Sequence, residues 1–269
     1  MVRFLRRIVR PSRARVKSPR GAHVPAPRAI CVRSGRMLES AAFPPPLRRS
    51  ALKASDIPAV HRLLSADFAA SPAPVIDLMG AQGESPFRIL LATICSARTK
   101  DACTAKVCRE KLFPAVAGWD DVRRLSADEI ARLIYPVGFY RQKAEAIKKI
   151  PDVLDARFGG RLPETVEELC ELPGVGRKTA NLVVAVAFKK PAICVDVHVH
   201  RIMNRLGLLR TRDPLETEMA LRRILPVRYW TTWNACFVSL GQRICAPRNP
   251  RCAACPVRRF CDTGKGTAK

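Results

Sequence analysis

The 269-residue chain has no apolar run near the roughly 18 residues that a membrane-crossing helix needs. It also lacks the short apolar stretch that marks a secretion signal. With eleven cysteines, an odd number, that absence argues against a disulfide framework and leaves metal binding, catalysis or burial to explain them. Strand patterns are nearly missing: residues 191–197 are β-branched but too isolated to build a sheet. Acidic residues are scarce too, 23 against 48 Lys and Arg, for a net charge of +25. Residues 1–36 contain no acid at all.

So basic a chain repels itself and calls for a polyanion or an anionic surface. Removing the 11 positive charges of residues 1–36 still leaves +14 for the remainder. Nucleic acid fits best, because a basic protein gains by releasing counterions from phosphates. A membrane surface would need an amphipathic basic helix as anchor, and the most basic segment has no apolar face to supply one. The 48% hydrophobic content argues against disorder over most of the chain. The length allows one large domain or two modest ones.

Residues 1–51, rich in Arg, Pro, Ser and Ala, carry no hydrophobic period and are predicted to be a disordered leader. That leader reads as a dispensable or mis-assigned extension with a true start at Met37, as an organellar transit peptide, or as a DNA-binding tail. From about residue 56 the pattern is helical. Asp56 with Pro58, and Ser85 followed by Pro86, are helix starts. Asp101 is placed to cap the next helix, and Ser126 with Glu129 forms a capping box. A long helix over 140–158 is stopped by Gly159 and Gly160. Pro163 and Pro214 open two further helices, and 230–243 closes the main series. The predicted fold class is all-α, with roughly ten helices.

Residues 172–177, LPGVGR, fall between two helical patterns. Gly174 and Gly176 permit a tight turn that opens a helix, whose free N–H groups and positive dipole end suit a phosphate. An ordinary helix–helix turn is the alternative; Arg177 and Lys178 favour phosphate. Lys178 is either a solvated lysine or a nucleophile. The dipole and Arg177 both oppose its charge and favour the neutral amine, which can attack an aldehyde-like carbon to form a Schiff base. Asp196 precedes a helix over 197–206. It is an N-cap, a proton manager beside a nucleophile, or both.

Cys245, Cys252, Cys255 and Cys261 give the spacing C-x6-C-x2-C-x5-C, a strong metal signature. Four thiolates suit zinc or an iron–sulfur cluster, and the spacing does not choose between them. The other seven cysteines read as small apolar residues.

These features, in this order, resemble the endonuclease III family of the helix–hairpin–helix DNA glycosylase superfamily. The matching stretches are LPGVGRKTAN at 172–181, VDVHVHRIMNRLG at 195–207, and the cysteine spacing. The resemblance runs from about Ser85 to Cys261. It implies a two-lobed all-α fold: a six-helix barrel over 80–190, and a cluster domain from 52–79 and 191–263, with 264–269 a tail. It makes Lys178 the Schiff-base lysine, Asp196 the catalytic aspartate, and the four cysteines ligands of a [4Fe–4S] cluster. Arg98 and Phe139 correspond to the loops that fill the gap left by a flipped base. Leu172, Gly174, Gly176, Arg177 and His198 become DNA contacts.

The implied activity is that of a bifunctional glycosylase and abasic-site lyase. It would act as a monomer on duplex DNA carrying oxidised pyrimidines or abasic sites, with no membrane partner. Rivals are a monofunctional mismatch glycosylase of the same superfamily and a non-catalytic DNA-binding module. The implied location is the bacterial cytoplasm (nucleoid), or a mitochondrion or nucleus if the leader is a targeting signal. Two positions depart from the family pattern, Arg98 where Gln is usual and Val197 where Thr is commoner, and both bear on lesion preference.

Overall fold

The structure, a computed structural model, describes residues 52–265. The leader and the last four tail residues lie outside the described residues. Among the described residues there is no strand and no helix long and apolar enough to cross a membrane. The α-helices are α1 (Ile57–Ala69), α2 (Val75–Ala81), α3 (Pro86–Ser96), α4 (Asp101–Val107), α5 (Phe113–Ala115), α6 (Trp119–Arg124) and α7 (Ala127–Ile134). They continue with α8 (Tyr140–Phe158), α9 (Val166–Leu169), α10 (Arg177–Val186), α11 (Val197–Leu206), α12 (Pro214–Ile224), α13 (Trp230–Arg243) and α14 (Asp262–Lys265).

Local chemistry sets most boundaries. The Ser85 hydroxyl accepts from Arg88 N at 3.3 Å, with Pro86 in the first turn, and α3 then buries seven consecutive residues from Ile89 to Cys95. Ser126 and Glu129 exchange bonds at the start of α7. Asp213 Oδ1 caps α12. Gly159, at φ +58°, ends α8 in the left-handed conformation that a glycine adopts without strain.

Two starts differ from expectation. Lys100, not Asp101, is the N-cap of α4; the Asp101 carboxylate turns away to accept from Val75 N at 3.3 Å. The helix expected from Pro163 begins only at Val166, because the Thr165 hydroxyl captures Glu168 N. Residues 191–195 form no strand; Ala192 to Val195 are buried as irregular chain.

Two hydrophobic cores result. One is built from α2 to α10, centred on Leu90, Leu91, Ile134, Ile150 and Val183. The other joins Leu52 and α1 to α11, α12 and α13 around Trp233 and Phe237. The chain therefore enters the second core, leaves it for the first, and returns at Ile193. Val75, Ile76 and Met79, on the stretch assigned from sequence to the second lobe, pack in the first core. The reason is that α2 lies against α3, α4 and α10.

Candidate active site

The hairpin that opens α10 is held by shape. Leu172 is 2% exposed and anchors the turn in the first core, and Val175 N bonds back to Leu172 O. Gly174 sits at φ +76°, and a Cβ there would lie 2.8 Å from the Ala146 Cβ, so a glycine is required on two counts. Gly176 is the N-cap of α10, and no side chain caps it, which leaves the first-turn amides available to an anion.

Two residues expected to face DNA are employed elsewhere. The Leu172 side chain belongs to the core, so only its backbone can meet a phosphate. Arg177 places Nε and Nη2 each 3.0 Å from Glu218 Oε1. The Glu218 side chain is 5% exposed and also pairs with Arg222 at 3.0 Å. Arg222 in turn reaches Asn181 Oδ1, while Asn181 Nδ2 donates to Arg177 O. This network ties the first turn of α10 to α12. Arg177 is thus a brace, not a free cation beside the glycines.

Lys178 and Asp196 come together. Asp196 caps α11: its Oδ1 accepts from His198 N at 2.8 Å and Val199 N at 2.9 Å. That leaves Oδ2 4.0 Å from Lys178 Nζ. The carboxylate is buried while the lysine side chain is 57% exposed, so the amine can be reached by a ligand. The buried Cys194 thiol lies 3.6 Å from Lys178 O, and Asn234 Nδ2 donates to Cys194 O, pinning the backbone around the pair.

Both side chains line an open cleft of about 350 Å³. Its walls come from both cores: Ile76, Asp77, Arg98 and Thr99 from one, His198 and Gln242 from the other. Burial lowers the His198 pKa below the usual histidine range despite the nearby Asp196. Arg201 donates to its Nδ1 at 3.1 Å, so the neutral ring carries its proton on Nε2.

Arg98 and Phe139 also converge, although 41 positions separate them in sequence. Both adopt left-handed backbone, φ +54° and +58°, and the Arg98 guanidinium lies 5.4 Å over the Phe139 ring. Gly138 N donates to Thr99 Oγ1 at 3.1 Å. A Cβ at Gly138 would stand 2.7 Å from Arg98 O, so the glycine allows the two loops to touch. Lys143 Nζ bonds to the carbonyls of Cys95 and Ala97 from below. Phe139 is 54% exposed, and strained backbone of this kind gathers where a side chain is held out for use.

Cys245, Cys252, Cys255 and Cys261 line one small cavity together with Arg205 and Arg258. Gly264 N and Arg205 Nη1 point N–H groups at the sulfurs of Cys261 and Cys245, each at 3.3 Å. Among the described residues no three such side chains converge on a single point as ligands of one ion would. Four thiols around a common cavity, two of them with N–H donors on the sulfur, make a candidate metal centre for zinc or an iron–sulfur cluster. Burial pushes the Cys255 thiol up to about 11.

Sequence reasoning did not single out Glu218, Asn181, Asn234 or Asp77. Asn181 stands inside the quoted motif, and its polarity within the apolar run after Lys178 was the available signal. The others carry no local pattern.

A family model described as HhH-GPD superfamily base excision DNA repair protein matches residues 91–227. Endonuclease III of Thermotoga maritima is 46% identical over 188 residues, 68% of this chain and 88% of its own length. Endonuclease III of Bacillus subtilis is 38% identical over 182 residues, 67% of this chain and 83% of its own. A solved structure of a trapped endonuclease III–DNA covalent intermediate superposes with a TM-score of 0.73 at 33% identity, covering 81% of this chain and all of that one.

Proposed function

The chain belongs to the endonuclease III family of HhH-GPD base excision repair proteins, and we propose on that premise that its cleft removes oxidised pyrimidines from duplex DNA through a Schiff base on Lys178. The protein is a bifunctional DNA glycosylase and abasic-site lyase. The single observation that carries the assignment of residues is the exposed Lys178 amine at 4.0 Å from the fixed Asp196 carboxylate, at the wall of an open cleft.

The chemistry follows from that placement. DNA phosphates meet the first-turn amides of α10, and the damaged nucleotide is turned out of the stack into the cleft. Phe139, stacked with Arg98, enters the gap; a large apolar ring replaces the missing base. The Lys178 nitrogen attacks the sugar C1′, the glycosidic bond breaks, and the base departs. Asp196 Oδ2 takes the ammonium proton of the new C–N bond or steadies the positive sugar. The C1′–O4′ bond then opens, O4′ taking up a proton, to leave an imine; the imine acidifies the neighbouring C2′–H, and loss of that proton breaks the C3′–O bond, so the strand is cut 3′ to the lesion with the phosphate as leaving group.

Cys245, Cys252, Cys255 and Cys261 would hold a [4Fe–4S] cluster, which when bound cross-links the loop bearing Arg248, Arg251, Arg258 and Arg259 to the end of α13. The protein acts as a monomer, and in a bacterium its place is the nucleoid.

Borohydride trapping tests the assignment. Wild type and Lys178→Ala meet duplexes carrying thymine glycol or an abasic site. The expected result is an adduct with wild type on both duplexes and none with the variant, while affinity for the damaged duplex changes by less than about tenfold, one charge being lost among many. No adduct from wild type would refute the lysine mechanism and direct the search to base release from mismatches.

A further inference from the structure

The cleft contains a second carboxyl group that the lysine mechanism leaves without a task. Asp77 lies on α2, on the wall formed by Pro74 to Asp77, in the same cavity as Lys178 and Asp196. The two acids are held in opposite ways. Asp196 has both oxygens engaged, one on two backbone amides and one facing Lys178. Asp77 has no ion pair within 4.0 Å among the described residues, and the one hydrogen bond that lowers its pKa comes from its own backbone.

The groups around Asp77 do not compensate for this. Asp101 on α4 repels it, and its carboxylate is fixed by Val75 N and Gln242. Lys189, beyond α10, attracts it but is directed to Gly80 O at 3.4 Å. Asp77 also bears on the buried thiols of Cys194 and of Cys236 on α13. Lys178 and His198 line the same cavity. Burial is the largest influence and raises its pKa to about 6. Two carboxyls in one site, one fixed by backbone amides beside the amine and one without an ion pair, are placed for different tasks.

We propose that Asp77 is a catalytic acid that protonates the departing base. As the Lys178 nitrogen bonds to C1′, the C1′–N1 bond breaks and its electron pair leaves with the pyrimidine. The proton on the Asp77 carboxyl passes to that anion, and Asp77 is left as carboxylate. No oxidant or further reactant is needed. The step exists only while a base is attached, so cleavage of a pre-formed abasic site proceeds without it. This inference rests on the glycosylase reading given above.

Wild type and Asp77→Asn are compared under single turnover, on a thymine glycol duplex and on an abasic duplex, from pH 5 to 8.5. Dividing the rate of base release by the rate of abasic cleavage cancels the shared contribution of Lys178. In wild type this quotient falls as pH rises through about 6, since an acid must be protonated to act. In Asp77→Asn the quotient is at least about a hundredfold lower at pH 5 and flat with pH, the lower end of what removal of a general acid produces. A second pair of substrates carries pyrimidines whose N1 anions differ in basicity. The defect shrinks for the better leaving group, which a merely structural role would not produce. An unchanged quotient overturns the inference, as does an equal loss of both activities. Wild-type protein that traps on neither duplex overturns the lysine reading itself, a result distinct from either.

Discussion

Asp196 performs two tasks that a pair of substitutions should separate. Its Oδ1 caps two amides of α11, at 2.8 and 2.9 Å, and its Oδ2 faces Lys178. Asparagine keeps an acceptor at the cap, and the two residues are near equals there. What Asp196→Asn loses is the charge near the helix dipole, about 0.3–1 kcal/mol. Alanine removes the cap, about 0.5–2 kcal/mol, and leaves buried amides without a partner, so a total near 2 kcal/mol is expected. At about 2–4 °C per kcal/mol for a protein of this size, Asp196→Ala should melt roughly 4–8 °C below wild type and Asp196→Asn no more than about 4 °C below it.

Activity should not follow that order. Both variants lack the carboxylate at Lys178, and both should form the borohydride-trapped adduct on abasic DNA at least about a hundredfold more slowly. Thermal melting by circular dichroism and single-turnover trapping on the same preparations check the two halves. An asparagine variant that traps within threefold of wild type would refute the proton-handling role. An alanine variant that melts with wild type would refute the cap.

Gly174→Ala forces a left-handed alanine at φ +76° against the Ala146 Cβ; the expected cost is about 2 kcal/mol, read as a lower melting temperature and weaker DNA binding in a mobility-shift assay. Phe139→Ala changes an exposed side chain and should leave stability within about 0.5 kcal/mol, yet slow thymine glycol excision about tenfold, because nothing then fills the stack. Cys261→Ser removes the sulfur that accepts Gly264 N, and anaerobically purified variant should lose the broad absorbance near about 400 nm expected of wild type. A wild-type protein that is colourless and carries stoichiometric zinc would defeat the cluster assignment.

Much of this protein could be read from the order of its residues, because the signals involved are local. A serine three residues before a glutamate closes a capping box at 126–129, and two glycines end α8, whatever the rest of the chain does. The hairpin, Lys178, Asp196 and the cysteine spacing lie in short, ordered stretches for the same reason. Helix starts failed only where a competing partner lay elsewhere: Asp101 was drawn to Val75 N, and Thr165 took the cap expected near Pro163.

Tertiary structure decided what depends on distance in space. Charge composition could count Arg177 as a cation beside the glycines, but not show that Glu218, 41 residues on, pairs with it. It could not join Arg98 to Phe139, since their contact arises where two left-handed loops meet over Gly138. Nor could it place Asp77 in the cleft. On α2 that residue reads as an ordinary first-turn acid, and only packing against α3, α4 and α10 half-buries it at the wall of the cavity that Lys178 lines. Sequence fixes side-chain chemistry and local caps. Burial and the juxtaposition of distant segments determine which of those groups can react.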